Sequence, residues 1–165
     1  MEMIAEAVGT SAVRFNIITV SPEKGFTFRW EDALSFEAGS APFIMYSHTR
    51  ACSIRRNVEA ADPSFTNGPP QIETYDGEMP AGLVELLRTL VVHDDRLSKV
   101  VKEHRPNLFA NYMLQLSMAY NMFYRDCYVI DQGQVNPFFF TVSEMARKAL
   151  KAGMEALGLV ALESM

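Results

Sequence analysis

Ser40-Ala41-Pro42-Phe43-Ile44-Met45-Tyr46-Ser47-His48-Thr49-Arg50-Ala51-Cys52-Ser53-Ile54-Arg55-Arg56 is the stretch on which the reading of this sequence turns. Ser40-Ala41-Pro42 marks a helix start, because proline in the first turn lacks only an N–H that would have no intrahelical partner. The helix is predicted from Phe43 to about Arg56. Phe43, Tyr46, Ser47, Arg50 and Ile54 recur on one face at helical spacing.

Upstream, residues 2–20 read as helical with an interruption at Gly9-Thr10-Ser11, where Thr10 or Ser11 caps a second helix carrying Val13, Ile17 and Ile18. Ser21–Gly25 is a turn, Phe26-Thr27-Phe28 alternates like a very short strand, and helical character resumes at Trp30–Leu34. Downstream, residues 57–82 hold Pro63, Gly68, Pro69, Pro70, Gly77, Pro80 and Gly82, the composition of a long loop. Leu83–Val92 is helical, and Asp94 or Asp95 caps a short helix through about Glu103.

Pro106-Asn107 opens the most regular helix, with Phe109, Tyr112, Met113, Leu116, Tyr120 and Phe123 as a continuous apolar stripe. Asp131–Pro137 is a second turn region. The last helix is predicted to start from a Thr141–Glu144 capping box with a Phe140–Met145 staple. Its apolar face is Val142, Ala146, Ala149, Gly153 and Leu157, its exposed side carries Arg147, Lys148 and Lys151, and Gly158 sits at the C-cap. The fold expected is all-α: a bundle of about five to seven helices, one long acidic loop over 57–82, and at most a very short strand.

With 165 residues, 48% of them hydrophobic, the chain can bury one real core. No apolar run reaches the roughly 18 residues of a membrane span, and the start Met1-Glu2-Met3 lacks the basic residues of a signal peptide. A soluble cytoplasmic domain is expected. Cys52 and Cys127 stand among apolar neighbours and read as buried thiols. His48 and Cys52 are one helical turn apart, yet zinc needs three or four ligands, so no metal is expected. Phosphate loops, G-x-G-x-x-G and G-x-S-x-G are all absent from the sequence. The adjacent acids Glu31-Asp32 and Asp94-Asp95 point in different directions on a helix, which suits solvated charges or caps better than an acid–base pair. No catalytic residue is assigned.

The 40–56 segment resembles the signature helix of the anticodon-binding domain of class I arginyl-tRNA synthetases: aromatic-x-x-Tyr, a small residue, His, a small residue, Arg, then Ser and a branched apolar residue. Ala5–Phe15 is similar to the segment that follows that family's catalytic core. Pro106–Tyr124 with Val129 is similar to its long helix, and Ala146-Arg147 through Gly158-Leu159 to Met165 is similar to its C-terminus. The synthetase ATP-site signatures H-I-G-H and K-M-S-K-S do not occur.

The resemblance implies a division into a junction segment, residues 1–36, and an anticodon-binding helical domain, residues 37–165. It also implies an arginine tRNA as partner, together with the catalytic domain of the same polypeptide, and no membrane or DNA. No cofactor is expected in this segment, since ATP and arginine would bind the catalytic domain. By the same resemblance the tRNA-binding residues are Phe43, Tyr46, Arg50, Tyr124, Arg147 and Met165; of these, Phe43, Tyr46, Tyr124 and Met165 would form a pocket for the cytosine at the centre of the anticodon, and Arg147 would reach a phosphate or order the loop.

Read without the resemblance, Phe43 and Tyr46 share a face with Ile54 and are better suited to a core, Tyr124 lies just off the apolar stripe, and Arg147 belongs to a solvated face. His48 reads as a structural hydrogen-bonding residue, and Arg50 also fits an ion pair or backbone clamp. Two other functions remain open: a Met- and aromatic-rich module that binds a partner helix, or the helical domain of another class I synthetase.

The net charge of −5 runs against an RNA partner, because phosphate binding rewards Lys and Arg. Five of the 20 acids (Glu59, Asp62, Glu73, Asp76, Glu78) fall in the 57–82 loop, which has no Lys or Arg, leaving 15 of each sign elsewhere. The helical body is therefore neutral, and stacking is expected to outweigh charge.

Overall fold

The structure, a computed structural model, describes residues 2–37, 39–67 and 75–165. Loop residues Gly68, Pro69, Pro70 and Glu73 lie outside the described residues. Among those described, seven α-helices run in chain order as α1 (Glu2–Ile18), α2 (Trp30–Ala33), α3 (Ala41–Ala61), α4 (Ala81–Val91), α5 (His93–Glu103), α6 (Pro106–Asp126) and α7 (Pro137–Ala156). A 3-10 turn at Pro63–Phe65 follows α3, and two strands, β1 (Ile130–Asp131) and β2 (Gln134–Val135), separate α6 from α7.

Helix α6 is the centre of the bundle and touches α1, α3, α4, α5 and α7. The whole predicted stripe, Phe109 to Phe123, is buried along it. Stripe tyrosines tie it sideways. The Tyr112 hydroxyl donates to the Thr89 carbonyl (3.0 Å) and accepts from His93 Nδ1 (3.0 Å), and burial pushes its pKa up to about 12. Tyr120 bonds Ser143 on α7 at 3.1 Å. Against α4 the backbones nearly touch: a Cβ on Gly82 would stand 2.6 Å from the Met122 carbonyl, so only glycine lets α4 lie this close. The Gly82 N–H donates to Asp126 Oδ2 (3.1 Å), so α6 supplies the cap that α4 lacks.

Several local expectations give way to tertiary contacts. Helix α1 is not interrupted at Gly9-Thr10-Ser11; Ser11 is buried and its hydroxyl accepts the Val160 N–H (3.1 Å) instead of capping. Phe26–Phe28 forms no strand, and Phe28 sits edge-on to Trp30, ring centroids 4.9 Å apart. The strands form instead at 130–135, where Gln132 (φ 47°) and Gly133 (φ 82°) make the two-residue turn with both φ positive that suits a tight hairpin.

Helix α3 starts earlier and ends later than predicted, from Ser40, whose hydroxyl accepts the Phe43 N–H (3.3 Å), to Ala61; the following loop is correspondingly shorter. Its buried side is Ile44, Met45, His48, Ala51 and Cys52, so the Phe43–Tyr46–Arg50 face flanks the core. Asp94 and Asp95 do not cap α5; they sit in its first turn, where carboxylates favour the helix dipole.

Helix α7 does not start at Thr141. It starts four residues earlier, with Asn136 as N-cap (accepting from Phe139 N at 3.0 Å) and Pro137 in the first turn. The cause is aromatic burial: Phe139 meets Phe123 and Tyr75, and Phe140 meets Phe65, which places the first turn against the core. Met145 is consequently exposed and staples nothing. At the other end Gly158 has φ 68° and closes the helix as expected.

Candidate functional site

The predicted residues of α3 and α6 converge. The Arg50 guanidinium lies between two tyrosine rings, its carbon 4.7 Å from the Tyr46 centroid and 4.3 Å from that of Tyr124. Both tyrosines are 43% exposed as residues. Arg50 donates to the Tyr46 hydroxyl (3.0 Å) and, with its other terminal nitrogen, to Asn121 Oδ1 (2.8 Å). Asn121 Nδ2 in turn donates to Ser47 Oγ (2.9 Å), and the Ser47 hydroxyl donates to the Phe43 carbonyl (2.9 Å). Among the described residues Arg50 pairs with no carboxylate; it is a planar cation held by rings and amide. Each such contact at a half-exposed site contributes about 0.5–1 kcal/mol. Phe43, half-buried, lies one helical turn before Tyr46.

The other two predicted residues lie apart from this cluster. Arg147 is not on a solvated face. Its side chain is 15% exposed and makes a two-pronged pair with Glu144, Nε to Oε1 at 2.7 Å and Nη2 to Oε2 at 3.0 Å. Arg55 joins from α3, Nη1 to Oε2 at 2.7 Å. Burial by itself would raise the Glu144 carboxyl, but the hydrogen bond and charge of Arg147, then Arg55, outweigh it and hold the group below the ordinary carboxylate range. Met165 borders a largely apolar groove with Ile4, Val8, Trp30, Leu34 and Phe36, and none of the tyrosine cluster lines that groove.

Residues to which sequence reasoning gave no role at the C-terminus hold the tail in place. Arg14 donates to the Gly158 carbonyl, Ser11 accepts from Val160, and Arg56 donates to the Glu163 carbonyl (3.0 Å). His48, expected to be structural, is the central anchor: its Nδ1 is 2.8 Å from the Leu162 carbonyl, which can only accept, so Nδ1 carries the proton. Burial lowers the His48 pKa, leaving Nε2 as an acceptor 3.5 Å from the Cys52 thiol. Burial raises the pKa of that thiol, so it stays protonated and donates. The two residues that invited a metal reading thus satisfy each other. Asn121 could have been found from the sequence, since it lies one turn before Tyr124, but nothing there shows that it faces α3.

An all-helical domain with a half-exposed aromatic pair bracketing an arginine has the makings of a surface for unstacked bases. The chain belongs to the family described as DALR anticodon binding domain, whose model matches residues 44–165. It is 38% identical to the arginine–tRNA ligase of Archaeoglobus fulgidus, covering 98% of this chain and 29% of that protein. It is 39% identical to that of Methanococcoides burtonii, covering 98% and 28%. The solved Thermus thermophilus arginyl-tRNA synthetase superposes with a TM-score of 0.78 at 25% identity, over 98% of this chain and 27% of that one. A Plasmodium falciparum arginyl-tRNA synthetase shares the fold, with a TM-score of 0.79 at 20% identity. The chain therefore spans less than a third of the length of the curated relatives it matches.

Proposed function

We propose that this domain recognises the anticodon loop of an arginine tRNA as part of an arginine–tRNA ligase. The ATP-dependent attachment of arginine would take place elsewhere in that enzyme, in the cytoplasm. The observation that carries the reading is the Tyr46–Arg50–Tyr124 stack, which presents two half-exposed rings and a guanidinium on the matched segment. Splayed single-stranded bases stack on such planes, each stack contributing roughly 1–3 kcal/mol, while a guanidinium can also meet a phosphate. Phe43 extends the surface by one turn, and Met165 belongs to the recognition set by resemblance. Arg147 acts indirectly, by ordering α7 against α3 through Glu144.

The test is binding of this chain to the arginine tRNA anticodon stem-loop and to a variant whose central cytosine is replaced. Discrimination between the two is expected, and Tyr124→Ala should weaken binding about tenfold with little change in melting temperature. Equal affinity for the two stem-loops would refute base reading. The rival reading, a helix-binding module, draws on Met118 and Met122, exposed beside Val84 and Ala119 in a groove between α4 and α6. RNA binding should weaken steeply with salt through counterion release, whereas a methionine surface should not.

A further inference from the structure

We propose that Asn121 is the positioning residue of the tyrosine–arginine platform: its amide fixes the guanidinium of Arg50 so that Tyr46 and Tyr124 are held open as a paired stacking surface. The consequence for RNA rests on the anticodon reading above; the positioning itself does not.

Two half-exposed rings do not by themselves fix the arginine between them. Its chain has several rotatable bonds and the guanidinium meets no carboxylate among the described residues, so ring contacts by themselves would leave it many rotamers. One terminal nitrogen reaches the Tyr46 hydroxyl on its own helix. The other needs a fixed acceptor, and Asn121 Oδ1 on α6 supplies it at 2.8 Å. The amide cannot turn over, because its Nδ2 is committed to Ser47 Oγ at 2.9 Å, and the Ser47 hydroxyl is committed in turn to the Phe43 carbonyl. Ser47 is fully buried, so this anchor does not exchange with water. A chain of single-direction hydrogen bonds therefore runs from the α3 backbone, across to α6, and back to Arg50. It spans the two helices that carry the two rings. Asparagine suits the position because it both donates and accepts, and because it adds no negative charge beside the guanidinium.

The test is a cycle of Asn121→Ala, Arg50→Ala and the double variant, made in the 165-residue chain. Alanine is well tolerated inside a helix, so Asn121→Ala should fold. Ser47→Ala, which cuts the same chain one link earlier, provides a second variant. In the free protein the Arg50 δ-methylene protons should resonate upfield, shifted by the two ring currents. That shift should be largely lost in Asn121→Ala and reduced in Ser47→Ala. Affinity for the stem-loop should fall about tenfold in Asn121→Ala, and the double variant should bind no more weakly than Arg50→Ala to within about twofold. An unchanged ring-current shift in Asn121→Ala overturns the proposal, as do additive losses in the cycle. Should the wild type fail to distinguish the two stem-loops, the anticodon reading falls, and the ring-current comparison still decides whether Asn121 positions Arg50.

Discussion

Replacing Glu144 by Gln should destabilise this domain through two arginines at once. The Glu144 side chain is 12% exposed and accepts from Arg147 at 2.7 and 3.0 Å and from Arg55 at 2.7 Å. Glutamine keeps the shape and one carbonyl acceptor but removes the charge, leaving two guanidiniums facing an amide. Removing one partner of a buried ion pair costs about 3–5 kcal/mol. Arg55 is 35% exposed and rehydrates readily, so the lower end, about 3 kcal/mol, is expected here. For a domain of this size that corresponds to a fall in melting temperature of about 6–12 °C.

Thermal and urea unfolding at neutral pH measure this loss, and a pH series checks its origin. The folded-state pKa of Glu144 is depressed, so its contribution is complete above the ordinary value of 4.5 and is lost as pH falls through the lower folded value. Wild type and variant should therefore converge in stability as the pH drops below 4.5. A stability change under about 0.5 kcal/mol, or a gap between the two that persists in acid, would refute the ion-pair account. It would also return Arg147 to the set of free cations available to RNA.

Three further outcomes follow from particular contacts. The His48 pKa is lowered by burial, so its contribution is complete above the ordinary value of 6.5 and erodes as pH falls below it, by at most about 1.4 kcal/mol per pH unit. His48→Asn keeps a donor for the Leu162 carbonyl and should flatten that part of the stability profile; an unaltered slope would count against the neutral anchor. Gly82→Ala should cost about 2–3 kcal/mol, since its Cβ meets α6 backbone rather than a side chain that can move, and a near-neutral melting curve would show the helices can separate freely. Deleting Met165 should weaken stem-loop binding and shift the emission of Trp30, the single tryptophan, which borders the same groove; altered emission with unaltered RNA affinity would make Met165 a packing residue only.

The helical stripe of α6 was legible because burial on one face imposes a period, and that period survives as a pattern of residue types from Phe109 to Phe123. The Ser40-Ala41-Pro42 start and the Gly158 stop were legible because backbone chemistry at helix ends narrows the residues allowed there. The signature of α3 placed Tyr46 and Arg50 one turn apart, and the spacing of α6 put Tyr124 just off its apolar stripe. These are statements about single helices, made by local rules.

What no local rule could supply is which helices meet. The Thr141–Glu144 pattern satisfied the capping rule, yet Glu144 serves Arg55 and Arg147 because α3 packs across α7 and because Phe139 and Phe140 draw the helix start back to Asn136. Ser11 looked like a cap and is the acceptor for a backbone N–H from the other end of the chain. Arg147 looked solvated for want of a visible partner. The sequence by itself determined an all-helical bundle and named most of the residues around its candidate surface. Only the tertiary structure decided that Tyr46, Arg50 and Tyr124 form one platform, that Asn121 braces it, and that Arg147 and Met165 stand elsewhere. Periodicity fixes the direction a side chain takes from its own helix axis, whereas the partner it meets depends on how distant helices pack.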